Sequence, residues 1–377
     1  MKWHFTCGDK ILKGKVSAVK ENIKTNQPIY FNAPNSYTKY DFSYEPEESW
    51  ETLIKLELET LREQFSYLRF LYSGGCDSHL ILQIILKYNI HIDEIICFKS
   101  GIESADFEIT NFAEPFLTKN KSQLANTKIT IKTHTAQDYI NYYNNPDWYK
   151  DWLQDSVNAP TFHFRIISQD NKEGSLGTGN VKNNECNILG KEKPLLLFKN
   201  NNWYTYFLDN IIEHSPGNNS LYIDNPKIHA KQCHMLLNKI KDTLPEEKYN
   251  KSTLGSLDYT QQNFLNESTG RYSFGNNFPL KNLGTNNSYS KFEINKQTFY
   301  SYNQKDYLAI NEFAKVDFAT VQNWARGVQS AYSEIGAWAE KNHLEYGTIG
   351  IFSKFYQLNE ANNITTIDEL FPNGFTL

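Results

Sequence analysis

Residues 73–78 of this chain, with the sequence SGGCDS, separate two apolar runs. The first, Tyr67–Tyr72, suits a buried strand, and the second, Leu80–Lys87, suits a helix that starts at Ser78. The two adjacent glycines lack a Cβ atom, so the backbone can adopt positive φ angles or approach a ligand closely. The first N–H groups of a helix have no intrahelical partners, and the helix dipole is positive there. The order of strand, turn and helix therefore predicts a binding site for a polyanion.

The polar side chains of this turn refine the prediction. Ser73 and Ser78 supply hydroxyl donors, whereas Asp77 would repel a phosphate unless a divalent cation lay between them. Proteins usually bind Mg²⁺ through one or two carboxylates together with phosphate oxygens, so Asp77 predicts Mg²⁺ as well as a nucleotide. The turn lacks the lysine and the spacing of the Walker loop, which argues against phosphotransferases of that class.

The turn resembles the SGGxDS loop of the PP-loop ATP pyrophosphatases, and every specified position of that motif is matched. The resemblance implies that the loop holds the β- and γ-phosphates of ATP, and that attack on the α-phosphate gives an adenylate and releases pyrophosphate. Members include the synthetase domain of asparagine synthetase, β-lactam synthetase, GMP synthetase and enzymes that modify tRNA or deazapurines. The ATP-binding residues that it implies in the turn are Ser73, Gly74, Gly75, Cys76, Asp77 and Ser78.

Further apolar segments predict the rest of a sheet. Residues 92–98, 128–133 and 186–189 suit strands, and residues 107–117 suit a helix. Strands separated by helical segments indicate right-handed crossovers and a parallel sheet, which binds ligands at the carboxyl ends of its strands. The predicted fold class is therefore α/β, with a parallel sheet and helices on both faces, as the resemblance to the PP-loop superfamily also implies.

The remaining segments predict the organisation of the chain. The N-terminal residues read as a cap of short strands and turns without a helical period, and a helix with a one-sided apolar stripe then begins at Pro46. Residues 200–220 read as an asparagine-rich loop. Asparagine is abundant in the manner of an AT-rich coding sequence, so its clusters are not interpreted as functional. The predicted units are an N-terminal cap at 1–45, a nucleotide domain at 46–240, and a helical, loop-rich substrate region at 241–377.

Two more strand ends carry candidate ATP-binding residues. Ser100 and Gly101 follow the second strand, where the superfamily usually holds adenine or ribose through backbone groups; an ordinary turn is the alternative. Leu189 and Gly190 end the fourth strand, at a position that resembles the SGxGxDE segment of asparagine synthetase. Only the glycine of that segment transfers, which leaves amide formation open.

The charged turn at residues 191–193 completes the candidate site. Adenylation requires a positive group that stabilises the charge on the α-phosphorus, and this turn places two cations and an acid directly after a buried strand. Lys191 or Lys193 would supply that charge, and Glu192 would bind Mg²⁺ or act as a base; a solvated charged turn is the alternative. The predicted catalytic residues are Asp77, Lys191, Glu192 and Lys193, and the predicted metal ligands are Asp77 and Glu192.

Several other residues allow two interpretations. His79 either lies near the phosphate or packs against the sheet, and His134 at the tip of the third strand either contacts a ligand or is a surface histidine. His229 and Cys233 share one helix face, as zinc ligands do, but no companion pair accompanies them. Cys76 and Cys186 suit either a persulfide relay, as in the tRNA thiolases of the superfamily, or the core.

Composition restricts the setting and the partners. Five cysteines without a paired spacing indicate a reducing compartment rather than a disulfide framework or a CxxC zinc site. No apolar run reaches the ~20 residues of a membrane span, and no signal peptide is recognisable, so we expect a cytoplasmic protein without a membrane partner. A formal net charge of −5 gives no overall attraction to nucleic acid, so a small-molecule acceptor is favoured.

These observations predict an ATP-dependent ligase that forms AMP and pyrophosphate while it adenylates a carboxylate or carbonyl for attack by an amine or ammonia. Lys2 stands where the related amidotransferases carry a cysteine nucleophile, so we expect no glutaminase domain. The chain also resembles compact asparagine-synthase-like proteins of tailed bacteriophages, whose compartment would be the host cytoplasm. Two alternatives stay open: a PP-loop enzyme that modifies a base of tRNA or DNA, and a nucleotide-binding protein without turnover.

Overall fold

A five-stranded parallel sheet carries the glycine turn. The computed structural model describes residues 3–12, 15–99, 106, 108–133, 184–190, 194–207, 218–243, 265–266, 271–273, 352–361 and 363–372. The strands in these residues are β1 (His4–Cys7), β2 (Lys10–Leu12), β3 (Ile29–Asn32), β4 (Tyr67–Leu71), β5 (Glu94–Lys99), β6 (Lys128–Thr133), β7 (Glu185–Leu189), β8 (Leu195–Lys199), β9 (Asn202–Tyr206), β10 (Asn218–Ser220), β11 (Leu265–Asn266), β12 (Arg271–Ser273), β13 (Phe355–Gln357) and β14 (Ile364–Thr365). The helices are α1 (Lys15–Thr25), α2 (Asn35–Thr38), α3 (Trp50–Gln64), α4 (Cys76–Lys87), α5 (Glu114–Lys119), α6 (Pro226–Thr243) and α7 (Ile367–Leu370), with a π-helical turn at Ile109–Ala113.

The parallel sheet has the strand order β10-β7-β4-β5-β6, and every neighbouring pair is parallel. Numbered along the chain, this order is 3-2-1-4-5 read from the opposite edge, which is the doubly wound arrangement. From β4 the chain continues to β5 and β6 on one side of the sheet, and it then returns to β7 on the other side of β4. The topological switch point therefore lies between β4 and β7. The α/β class and the four predicted strands are confirmed.

The core of this sheet follows from the alternation of side chains along β4. Leu68 and Phe70 are fully buried and share one core with the apolar stripes of α3, α4 and α6. Arg69 points to the opposite face, where it forms ion pairs with Glu94 at 3.2 Å and with Glu185 at 2.7 Å. These pairs join β5, β4 and β7 in one register. The fold prediction also places helices on this second face, and that part of it stays a prediction.

A six-stranded antiparallel sheet has the order β11-β12-β8-β9-β13-β14, and its strands β8 and β9 lie in the chain between β7 and β10 of the parallel sheet. The expectation of a loop at residues 200–220 is wrong at β9, where Trp203–Tyr206 is buried. Asn200 and Asn201 have φ angles of 51° and 61°, so they form a two-residue hairpin turn between β8 and β9. Strand β13, near the C-terminal end of the chain, pairs with β9. The predicted domain boundaries stay predictions.

Two helix predictions need correction near the N-terminus. The first 45 residues include α1, although no helix was expected there. Within the described side chains of α1, Ala18 is buried and Ile23 is exposed, so the apolar stripe that signals a helix is weak. Helix α3 begins at Trp50 rather than Pro46, because the Ser49 side chain caps it by accepting a hydrogen bond from the Thr52 N–H.

A buried histidine connects α6 to the antiparallel sheet. His229 is fully buried, its Nε2 lies 2.9 Å from the Thr205 hydroxyl, and its ring packs 4.6 Å from that of Phe207. Burial lowers the pKa of His229 from 6.5 to about 3. Within the described residues, no helix combines the length and the apolar character that crossing a membrane would require.

We expect His229 to make the fold sensitive to acid. The unfolded chain takes up a proton at this site below about pH 6.5 while the folded chain does not, so the contribution of His229 to stability is lost as the pH falls through this range. Between pH 8 and pH 5 the loss is roughly 2 kcal/mol in the free energy of unfolding. Urea unfolding of His229→Gln at both values should show a pH dependence smaller by that amount. The same change at the exposed His91 is the control, and equal effects of the two variants would contradict the assignment.

Candidate functional site

The turn after β4 has a geometry that one of its glycines makes possible. Gly74 has a φ angle of +79°, and a Cβ atom on it would lie 2.9 Å from the carbonyl oxygen of Glu108 and 3.2 Å from the Cβ of Ala113. Both the backbone conformation and the lack of space therefore require glycine. Gly75 has an ordinary φ of −70° and is the N-cap of α4, which begins at Cys76 rather than at the predicted Ser78.

The serine hydroxyls of the turn hold its shape. Ser73 Oγ and Ser78 Oγ lie 3.0 Å apart. Ser73 Oγ also accepts a hydrogen bond from the Gly75 N–H at 3.3 Å, and Ser78 Oγ donates one to the Gly75 carbonyl at 3.1 Å. Ser78 is buried and Ser73 is exposed. Thus Ser73 is the hydroxyl that a ligand in solution would meet first.

The first turn of α4 provides the electrostatic character of the site. The N-cap residue of this helix is Gly75, which has no side chain to cap it. The N–H groups of its first turn have no carbonyl one turn earlier, and the dipole of the 12-residue helix is positive at this end. Asp77 lies in this first turn with a half-buried side chain. The arrangement suits an anion at the N–H groups and a cation beside Asp77.

The end of β7 lies against the same helical turn. A Cβ atom on Gly190 would stand 2.9 Å from Ser78 Cα, 3.0 Å from Ser78 N and 2.9 Å from Ile81 Cδ1. Backbone atoms cannot move away as a flexible side chain could, so this approach requires glycine. Leu189 and Gly190, which the sequence places in the site, are thus brought beside the turn at the switch point of the sheet.

A third strand end completes the arrangement. The Leu221 N–H, just after β10, donates to the Leu189 carbonyl at 3.1 Å. The buried Tyr222 hydroxyl donates to the Asp77 carbonyl at 2.8 Å. The ends of β4, β7 and β10 are therefore joined by hydrogen bonds and close contact around the first turn of α4.

His79 belongs to the core rather than to the ligand site. It is 5% exposed, its Nδ1 lies 2.8 Å from the Tyr72 hydroxyl, and its ring makes an edge contact with Phe116 at 4.5 Å. Burial lowers the pKa of His79 from 6.5 to about 4, so the ring is neutral at physiological pH. It therefore adds no positive charge for a phosphate.

Sequence reasoning missed the acidic and basic groups that border the turn. Lys99, the last residue of β5, forms an ion pair with Glu114 at 2.6 Å, and Glu108 is buried with its carbonyl beside Gly74. Lys99 had a recognisable signal, because the carboxyl end of a parallel strand faces the site. Tyr222 carried no signal, because its contact with Asp77 joins residues far apart in the sequence.

Several predicted site residues lie outside the described residues: Ser100, Gly101, His134, Lys191, Glu192 and Lys193. The Cys76 side chain is likewise outside the described part. The structure brings together Ser73, Gly74, Gly75, Asp77, Ser78, Leu189 and Gly190.

Three cysteines and one histidine, namely Cys97, Cys186, Cys233 and His229, lie in the core. Cys186 is buried, and burial raises the pKa of the Cys97 and Cys233 thiols to about 12, which keeps these two protonated. His229 shares a helix face with Cys233, but its described hydrogen bond goes to Thr205. Across the described residues, no group of three or more histidine, cysteine, aspartate or glutamate side chains is placed to hold a metal ion.

Comparison of the chain with models of known protein families gave no match, and neither did comparison with curated proteins.

We expect Gly74 to tolerate a side chain less well than Gly8, the other described glycine with positive φ. Alanine at either position costs about 1 kcal/mol through the backbone angle. At Gly8 the new Cβ would meet the flexible Gln27 side chain at 3.3 Å, whereas at Gly74 it would meet the Glu108 backbone at 2.9 Å. Thermal unfolding should show Gly74→Ala less stable than Gly8→Ala by a further ~1–3 kcal/mol. Equal losses of stability in the two variants would contradict the close contact between Gly74 and the Glu108 backbone.

Proposed function

We propose that this protein is an ATP-dependent ligase of the PP-loop type, which binds ATP at residues 73–78 and releases AMP and pyrophosphate. One observation carries the proposal: a helix with a glycine N-cap begins at the switch point of a parallel sheet, where Gly74 and Gly190 leave no room for a Cβ. Doubly wound sheets bind ligands in the crevice at this point. Backbone N–H groups at a helix start favour phosphate.

The proposed ligand of the turn is the terminal part of a polyphosphate. Gly74 lets the turn pack against the Glu108 backbone, and Gly190 lets the end of β7 pack against Ser78, which fixes the backbone at the start of α4, where phosphate oxygens would bind. Ser73 adds an exposed hydroxyl donor. A ligand held by its β- and γ-phosphates in this way leaves its α-phosphate free to react.

The described residues fit a magnesium ion that the substrate helps to bind. Mg²⁺ with a nucleotide usually needs only one or two carboxylates, so a full cage of protein ligands is not required. Asp77 is half-buried in the first turn of α4 and provides one such carboxylate, and Glu192 is the proposed second. Bound there, the ion would neutralise part of the triphosphate charge.

The proposed reaction has two steps. A carboxylate or carbonyl oxygen of the acceptor attacks the α-phosphorus, and the bond from that phosphorus to the bridging oxygen of the β-phosphate breaks, so that pyrophosphate leaves. An amine or ammonia then attacks the activated carbon, loses a proton, and displaces AMP. Lys191 or Lys193 is the proposed stabiliser of charge on the α-phosphorus. With a net charge of −5, a small molecule is the proposed acceptor.

An assay of pyrophosphate release with Mg²⁺-ATP tests this proposal. The acceptors should include amino acids, other carboxylates, nucleotides, tRNA and single-stranded DNA, each with and without ammonia. Release that depends on a small carboxylate supports the ligase. Release that depends on nucleic acid indicates base modification, and ATP binding without release under all conditions indicates a protein without turnover.

We expect Asp77→Asn to slow pyrophosphate release strongly without unfolding the protein. The amide keeps the shape of the side chain but loses the charge that Mg²⁺ requires, so the rate should fall roughly a hundredfold. The control is Asp41→Asn, which removes a half-buried aspartate of the N-terminal region that accepts hydrogen bonds from Ser43. The melting temperatures of both variants should stay close to that of the wild type. Unchanged turnover in Asp77→Asn would refute the role of this carboxylate.

A further inference from the structure

The carboxyl edge of the parallel sheet carries one cation at its strand ends. Lys99 ends β5, whereas the other four strands end in Leu71, Thr133, Leu189 and Ser220. Lys99 is therefore the single positive side chain among the terminal residues of these five described strands. An anion at this edge would meet it before any other strand-end charge.

The register of the sheet places Lys99 beside the glycine turn. Leu71 of β4 is paired with Ile96 of β5, and the next residue, Tyr72, donates its N–H to the Ile96 carbonyl at 2.9 Å. Three residues beyond that pair lie Gly74 on one chain segment and Lys99 on the other. Lys99 is still paired with Thr133 of β6, whereas β4 has ended, so the glycine turn and the end of β5 lie at the same edge of the sheet.

A sequence of contacts also connects the ammonium group to the turn. Lys99 Nζ lies 2.6 Å from Glu114 Oε1, and Glu114 directly follows Ala113. The Ala113 Cβ lies 3.2 Å from the place where a Cβ on Gly74 would stand. The Lys99 and Glu114 side chains are 20% and 30% exposed, so solvent and small ligands can reach the pair.

We propose that Lys99 binds the triphosphate of ATP at the turn, and that its ammonium leaves Glu114 for the nucleotide when ATP arrives. This inference rests on the proposed function. A triphosphate carries several negative charges where Glu114 carries one, and partly exposed ion pairs contribute little to stability, so the exchange of partners is favourable. The long, flexible stem of lysine lets its three N–H donors move between the two anions.

The test measures binding of an ATP analogue with a methylene bridge between the α- and β-phosphorus, which cannot release pyrophosphate. With Mg²⁺ present, isothermal titration should show roughly tenfold weaker binding in Lys99→Met, because a charge-assisted hydrogen bond is lost. Lys99→Arg should recover most of the affinity. Adenosine, which has no phosphate, should bind equally to all of these proteins.

Two further variants separate phosphate binding from a structural role. Glu114→Gln removes the competing carboxylate, so the analogue should bind roughly twofold to threefold more tightly, the opposite sign to Lys99→Met. Lys87, at the far end of α4, forms an ion pair with Glu51. Lys87→Met removes an equal charge there and should leave the affinity for the analogue unchanged. If Lys99 and Glu114 only stabilise the fold, Lys99→Met and Glu114→Gln will lower the melting temperature, and neither will alter the affinity for the analogue.

The outcomes distinguish this inference from the function on which it rests. Tight binding of the analogue by wild type and by Lys99→Met, together with loss of binding in Gly74→Ala, would retain the turn as the site and overturn the role of Lys99. Equal weakening by Lys99→Met and Lys87→Met would also overturn it, since it would reflect net charge alone. Absence of binding by the wild-type protein would overturn the proposed function and this inference together.

Discussion

The close approach of the end of β7 to the first turn of α4 determines the rest of the site. Gly190 would place a Cβ within 3.0 Å of the Ser78 backbone, so the two segments are as near as a glycine allows. This contact occurs at the switch point, where the connections from β4 and to β7 run in opposite directions. The same neighbourhood positions Tyr222 on the Asp77 carbonyl. The helix start is thereby held from both sides.

The parallel sheet was predictable because its signals are local. Each strand can be recognised from its own short sequence, without knowledge of the residues that it contacts. Three of the four predicted strands agree with the structure to within one residue at each end. The antiparallel sheet was only partly predictable, because asparagines beside β9 were attributed to codon bias. In the described residues, every residue other than glycine with positive φ is an asparagine: Asn26, Asn89, Asn184, Asn200 and Asn201. Asparagine tolerates this conformation, so the Asn-Asn pair before β9 was a hairpin signal.

Some residues of the candidate site are close together in the sequence, and others are far apart in it. The glycine turn, its two serines and Asp77 are contiguous, so one motif was enough to identify them. Lys99, Glu114 and Tyr222 reach the same place only through strand register and side-chain contacts. Sequence spacing gives no measure of such contacts. The histidine next to the turn shows the converse, because His79 is adjacent in sequence and yet packs away from the site against Tyr72.

Among the described helices, α3 and α7 begin with a side-chain cap, whereas α2, α4 and α5 do not. Ser49 caps α3 through the Thr52 N–H, and Thr366 and Glu369 form a complete capping box at α7. A serine or aspartate at the N-cap of α4 would stabilise that helix over Gly75 by only a few tenths of a kcal/mol, and Gly75 supplies no capping side chain. A capping side chain would also occupy the N–H groups that an anion needs. Under the proposed function, a phosphate of ATP would accept these hydrogen bonds in place of a capping side chain.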